Sequence, residues 1–139
     1  MEASKHTIII IKNEKNEYLQ YYDNRWNCYL FLNTKIRETI DENQIIEELS
    51  QILKTPKVKI NLKYLFDKVH TKYSETANRD KKYHHYFYEA KVNLPDTKEF
   101  MINEKKFKYF SKKELENDER IKKVNGDIIS MINTYYKTD

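Results

Sequence analysis

Glycine is almost absent from this chain, with Gly126 the only one in 139 residues. Backbone amides reach a phosphate closely only where no side chain intervenes, so a P-loop and a G-x-G-x-x-G loop are both excluded. Cysteine is as scarce. The single thiol, Cys28, excludes an internal disulfide and any multi-cysteine metal site. It stands in an apolar run with Tyr29, Leu30, Phe31 and Leu32, where a buried structural thiol is expected. A reducing, cytoplasmic setting fits that use of cysteine. Long apolar runs are missing too. Ile8 to Ile11 is too short for a signal peptide or a membrane span. No charge of one sign dominates either. The net charge of +4 comes from lysines mixed with acids along the chain, a solvated surface rather than a nucleic-acid footprint.

Aromatic residues are what the chain has in quantity, at 14%, and they supply bulk for one core. The length suits a single domain over residues 1–139, with 1–5 frayed. Thr7 to Lys12 is a β-branched run expected of a strand buried on both faces. Asn13 to Asn16 reads as a turn and Glu17 to Tyr22 as its hairpin partner. Trp26 to Leu32 is a third strand, followed by a polar loop from Asn33 through Thr39. Asp41 is an N-cap with Gln44 in capping-box position. Ile45, Ile46, Leu49, Ile52 and Leu53 form one apolar stripe of the helix that follows, and Pro56 ends that element. Val58, Ile60 and Leu62 alternate with Lys57, Lys59, Asn61 and Lys63 as a half-buried strand, and Tyr64 to Tyr73 reads as another, though Leu65, Val69 and Tyr73 also suit a helix. A surface loop over Ser74 to Lys82 precedes an aromatic strand, Tyr83 to Val92. Lys106 to Phe110 is the last strand. Ser111 and Glu114 then form a capping box, and Asp118 caps a closing helix that Gly126 weakens or kinks. The class is α+β, a mixed sheet covered by helices.

The stretch Asn33 to Thr55 resembles the signature of Nudix hydrolases, G-x5-E-x7-R-E-U-x-E-E-x-G-U, in length and in its place after an apolar strand. Phe107 to Leu115 and the closing helix resemble that family's distal pattern, so the likeness runs over residues 6 to 136. It implies an α/β/α sandwich with a loop-helix segment at 33–55. Laid from Asn33, the signature places Thr39 at the first glutamate, Glu47 at the arginine, Glu48 at the next glutamate, Gln51 and Ile52 at the paired glutamates, and Lys54 at the second glycine. Hard divalent cations need several oxygen ligands. The resemblance therefore implies a fold whose metal helix has lost its ligands, with Glu48 the one acid in register. Glu47 and Glu48 remain weak metal candidates, and Mg2+ enters only for an atypical hydrolase.

In such a fold, sheet and loop aromatics stack on a base while cations meet phosphates. The candidates for that role are Arg25, Trp26, Tyr29, Lys35, His85 and Tyr86, with Arg25–Trp26 first. His84 and His85 are adjacent in a strand and point to opposite faces, so they cannot chelate one ion. His6 and His70 read as isolated. The function expected is a catalytically degenerate Nudix-like module binding a nucleotide or nucleotide-derived ligand. Two others stand beside it: a protein-interaction or homodimerisation module, and an atypical metal-dependent hydrolase of a nucleoside diphosphate derivative acting through Glu48.

Overall fold

The computed structural model describes residues 3–36, 38–74 and 77–137. Among the described residues, three strands, a helix, four further strands and two closing helices follow one another as an α+β chain. It divides into two units. One takes in the N-terminal strand as far as Ile11 and the stretch Leu32–Leu94. The other comprises Lys12–Phe31 and the chain from Pro95 onward.

The first unit is built on β1 (Ser4–Ile10). Ile8, Ile9, Ile10 and Ile11 are all buried, as expected of a continuous β-branched run covered on both faces. β1 pairs antiparallel with the second half of β3 (Cys28–Lys35), from Ile9 opposite Leu32 to His6 opposite Lys35. Its other edge pairs parallel with β5 (Arg79–Lys91). β5 in turn pairs antiparallel with β4 (Asn61–Ser74). The helix α1 (Glu42–Leu53) starts where Asp41 accepts from the amides of Asn43 and Gln44. Ile45, Leu49 and Leu53 are its buried stripe. Burial first, then the Glu42 carboxylate in the first turn of α1, pushes the Tyr88 phenol of β5 up to about 12. Lys54, at the signature's second glycine, closes the helix in the left-handed conformation at φ 52°.

In the second unit, β2 (Tyr18–Asp23) pairs with the first half of β3 and with β7 (Lys105–Phe110). β6 (Glu99–Ile102) pairs with β7. Ser111 and Glu114 make the expected reciprocal capping box at α2 (Lys112–Asn117). Asp118 caps α3 (Glu119–Tyr135). That helix breaks at Asn125, beside Gly126, where φ is −125° and ψ is 17°. Cys28 is buried, and burial pushes its thiol up.

Several expectations are corrected. The β1–β2 hairpin is reduced to one bridge, Lys12 to Tyr18, because β1 spends its edges on β3 and β5. Ser4 and Lys5, expected to fray, pair with Tyr83 and His84. Asn33, Thr34 and Lys35 extend β3 instead of opening a loop, since pairing with β1 outweighs their polar character. Lys57 to Lys59 form a 3-10 turn with Val58 89% exposed. After Pro56 the amides of Lys59 and Ile60 bond backward to Pro56 and Lys57, so the period-two pattern there is not a strand. The two strands expected over 57–73 are one, β4. Residues 79–82, expected in a loop, begin β5, because their register partners on β4 run from Ser74 to Thr71. β6 was not anticipated.

Two outcomes follow from this packing. Leu49→Ala, at a fully buried site, is expected to cost about 2–5 kcal/mol in urea denaturation. Hydrogen bonds from Lys98, then from the Ser111 amide, lower the Glu114 carboxyl from 4.5 to about 2. A carboxylate depressed in the folded state adds stability that is complete above pH 4.5 and fades as pH falls toward 2. Glu114→Gln should flatten that slope in denaturation curves taken across this pH range.

Candidate functional site

The face of α1 that should carry metal ligands is occupied otherwise. Glu47 pairs with Lys57 and accepts from Gln51 Nε2 at 3.4 Å. Ile52 and Glu48 are half-buried. Among the described residues no three His, Cys, Asp or Glu side chains gather as a metal site. A divalent cation coordinated by oxygen does not fit this donor set.

The polar and aromatic groups concentrate instead on the sheet of the first unit. His6 on β1, His70 on β4 and Tyr83 and His85 on β5 share one face, brought together by the parallel β1–β5 and antiparallel β4–β5 registers. His70 Nε2 lies 2.8 Å from His85 Nδ1, with ring centroids 4.9 Å apart. The His85 ring stacks at 5.9 Å on both His6 and Tyr83. Two amines border the rings. Lys35 is the cross-strand partner of His6, and Lys81 lies 5.6 Å from the Tyr83 ring centre. Burial first, then the charges of Lys35 and Lys81, lowers the His6 pKa. An imidazole–phenol platform bordered by ammonium groups suits a flat, electron-rich ring bearing an anion.

Lys35 and His85 thus share this face. Tyr86 does not. As the alternation of a strand requires, its hydroxyl lies on the opposite face, 3.2 Å from His84 Nδ1.

Arg25, Trp26 and Tyr29 belong to the second unit. The turn between β2 and β3 is organised by Asp23, whose carboxylate accepts from the Arg25 and Trp26 amides and from the Arg25 guanidinium. Burial raises the Asp23 pKa, but those hydrogen bonds outweigh it and hold the group below the usual range. Arg25 is 83% exposed yet already paired with Asp23. The Trp26 carbonyl accepts from the Arg120 guanidinium, which pins the turn. Tyr29 packs edge-on between Tyr22 and Phe110. Nearby in this unit, Tyr22, Asn24, Asn103, Glu104, Lys105 and Lys106 line a polar hollow of about 310 Å³.

His6 and His70 were the members that sequence reasoning missed. For His70 a signal existed, since two strands adjacent in the chain pair antiparallel and set it opposite Tyr83. For His6 there was none, because its partner arrives through a parallel pairing of strands far apart in the chain.

This fold is that of solved Nudix structures. An Ap4A hydrolase from C. elegans matches with a TM-score of 0.59 over 99% of this chain and 98% of its own, at 16% identity. A Nudix-family hydrolase from Clostridium perfringens matches at 0.55 over 99% of both chains, at 15% identity. The M. smegmatis Nudix hydrolase RenU matches at 0.54 over 96% of this chain and 87% of its own, at 7% identity. At such identities the likeness is one of fold. No family model and no curated protein matches the sequence.

The altered helix face predicts that Mn2+ added at millimolar concentration leaves the melting temperature within about 1 °C of its metal-free value, since a ligand that does not bind the native state does not stabilise it. Differential scanning calorimetry with and without EDTA checks this.

Proposed function

We propose that this chain is a Nudix-fold module that binds a nucleotide or nucleotide-derived ligand without using the signature helix for metal chemistry, and that it acts as a sensor or regulator. The observation carrying this reading is the stacked His6, His70, Tyr83 and His85 face bordered by Lys35 and Lys81. The rings offer stacking to a base, and the amines offer charge to phosphate. Burial first, then repulsion from Lys35 and Lys81, disfavours protonated His6; ligand phosphate would offset that repulsion, so binding should be tighter below neutral pH. The fold neighbours include a protein named as an Ap4A hydrolase, which makes Ap4A a rational first compound.

A second reading is favoured by one feature. β4 is 14 residues long and mostly exposed, with Tyr64, Val69 and Tyr73 among its open side chains. A long edge strand is a template for pairing with another chain, which suits a homodimer or a protein partner.

Thermal shift and isothermal titration against mono-, di- and dinucleotides, Ap4A and cyclic nucleotides separate the readings. A nucleotide should raise the melting temperature, and a Lys35→Ala/Lys81→Ala double variant should weaken its affinity about 10-fold or more, each charge-assisted contact being worth roughly 1.5–3 kcal/mol. Absence of any shift across the panel, together with a dimer in sedimentation, would replace the first reading with the second.

A further inference from the structure

The opposite face of β4 and β5 carries a second constellation that ligand binding on the ring face does not use. Asp67 Oδ2 lies 2.6 Å from His84 Nε2, and the Tyr86 hydroxyl lies 3.2 Å from His84 Nδ1. The His84 and Tyr86 rings stack with centres 4.1 Å apart. Tyr64 donates its hydroxyl to the other Asp67 oxygen. That bond first, and the one to His84 second, holds the Asp67 carboxyl below its ordinary range, so Asp67 is ionised at neutral pH. An ionised carboxylate only accepts hydrogen bonds. His84 therefore carries a hydrogen on Nε2, and in the neutral ring Nδ1 presents its lone pair. The Tyr86 hydroxyl is the group that donates to it. Hydroxyl, imidazole and carboxylate stand in the order of nucleophile, base and orienting acid.

The same face carries two cations beside its carboxylates, Asp67 and Asp80. Lys5 of β1 is the register partner of His84, and Lys82 precedes His84 by two residues on β5. Strand alternation puts both on the His84 side. Asp67, at 40% side-chain exposure, and His84, at 19%, are open to solvent. Lys5 and Lys82 beside His84 offer charge to an anionic electrophile, and phosphorus is a centre that combines negative charge with susceptibility to oxygen attack.

We propose that Tyr86 is a nucleophile toward a phosphoanhydride or an activated phosphodiester, with His84 as its general base, so that the β4–β5 face is a metal-independent group-transfer site. The Tyr86 oxygen bonds to phosphorus as the bond from phosphorus to the leaving oxygen breaks. The phenolic proton passes to His84 Nδ1, and the leaving group departs with the bonding electron pair as an anion. Asp67 faces the resulting imidazolium and stabilises it. After His84 gives that proton to solvent, it takes one from water. The hydroxide formed displaces the tyrosyl oxygen from phosphorus, and the phenolate recovers the proton from His84. Asp67 and Tyr64 are positioning residues, which act through His84.

The test uses the full chain in EDTA with the p-nitrophenyl ester of thymidine 5′-monophosphate. Release of p-nitrophenolate is expected, together with a nucleotidyl adduct that peptide mass spectrometry maps to Tyr86. Tyr86→Phe should abolish the adduct while leaving the melting temperature intact, and His84→Asn should slow release about 100-fold, the usual reach of a general base. Asp67→Asn should shift the pH profile of release, and Asp67→Glu should restore part of it. A folded wild-type chain giving neither release nor adduct overturns the proposal. So does an adduct that survives Tyr86→Phe.

Discussion

The first unit depends on β1 satisfying both of its edges and both of its faces. Backbone amides and carbonyls cannot be left unpaired in a dry interior, and Ile8 to Ile11 are buried. β1 meets this demand by taking β3 on one side and β5 on the other. Each partner is needed for a different reason. β3 brings Thr34, whose hydroxyl lies 2.5 Å from that of the fully buried Thr7 and so satisfies a polar pair in the core. β5 brings Phe87 and Tyr88, the largest fully buried side chains of the unit. The helix follows from the same strand. The Glu42 carboxylate in the first turn of α1 acts on the Tyr88 phenol of β5, while Ile45, Leu49 and Leu53 supply the buried stripe of α1.

A near-absence of glycine has to be met elsewhere in the backbone. Among the described residues, six that are not glycine take positive φ: Asn16, Asn27, Asn78, Asn103, Lys54 and Glu104. Asparagine tolerates this region through local side-chain hydrogen bonding, whereas lysine and glutamate carry about 1–2 kcal/mol of strain each. Lys54 bears that cost at the end of α1, the position the Nudix signature gives to glycine. A lysine is held left-handed there, while Gln51 and Ile52 stand where the signature has its paired glutamates. Backbone shape and side-chain chemistry are separable demands on one segment.

What was legible in the sequence was local. The caps at Asp41, Ser111 and Asp118 were readable because capping needs only a few adjacent residues. The α1 stripe and the weak point beside Gly126 were readable for the same reason. The Nudix fold was readable as a spacing, since loop and helix lengths are set by the sheet they return to. Strand limits were not. Asn33 to Lys35 look like a loop and become strand because β1 needs them, whereas Lys57 to Lys59 look like a strand and become a turn after Pro56. Of the candidate site, Lys35 and His85 fall together, while Tyr86 falls on the other face and Arg25, Trp26 and Tyr29 fall in the other unit. Pairing partners distant in sequence decide such groupings, and no local pattern encodes them.

The alternation of β5 is what turns one aromatic-rich strand into two separate surfaces. Tyr83, His85 and Phe87 go one way, and His84, Tyr86 and Tyr88 go the other. On the first face the imidazoles meet each other, with two amines bordering them. On the second, Asp67 fixes the tautomer of His84 and thereby the direction of the Tyr86 hydrogen bond. Two adjacent histidines of identical intrinsic chemistry are thus given different capacities by what stands across the ladder on β4, His70 in one case and Asp67 in the other. The bulge between Tyr64 and Phe66 is what makes this possible. Before it Tyr64 sits opposite Tyr88, and after it Asp67 sits opposite Tyr86. The one-residue slip returns Asp67 to the face of Tyr64, where unbroken alternation would have put it on the other side.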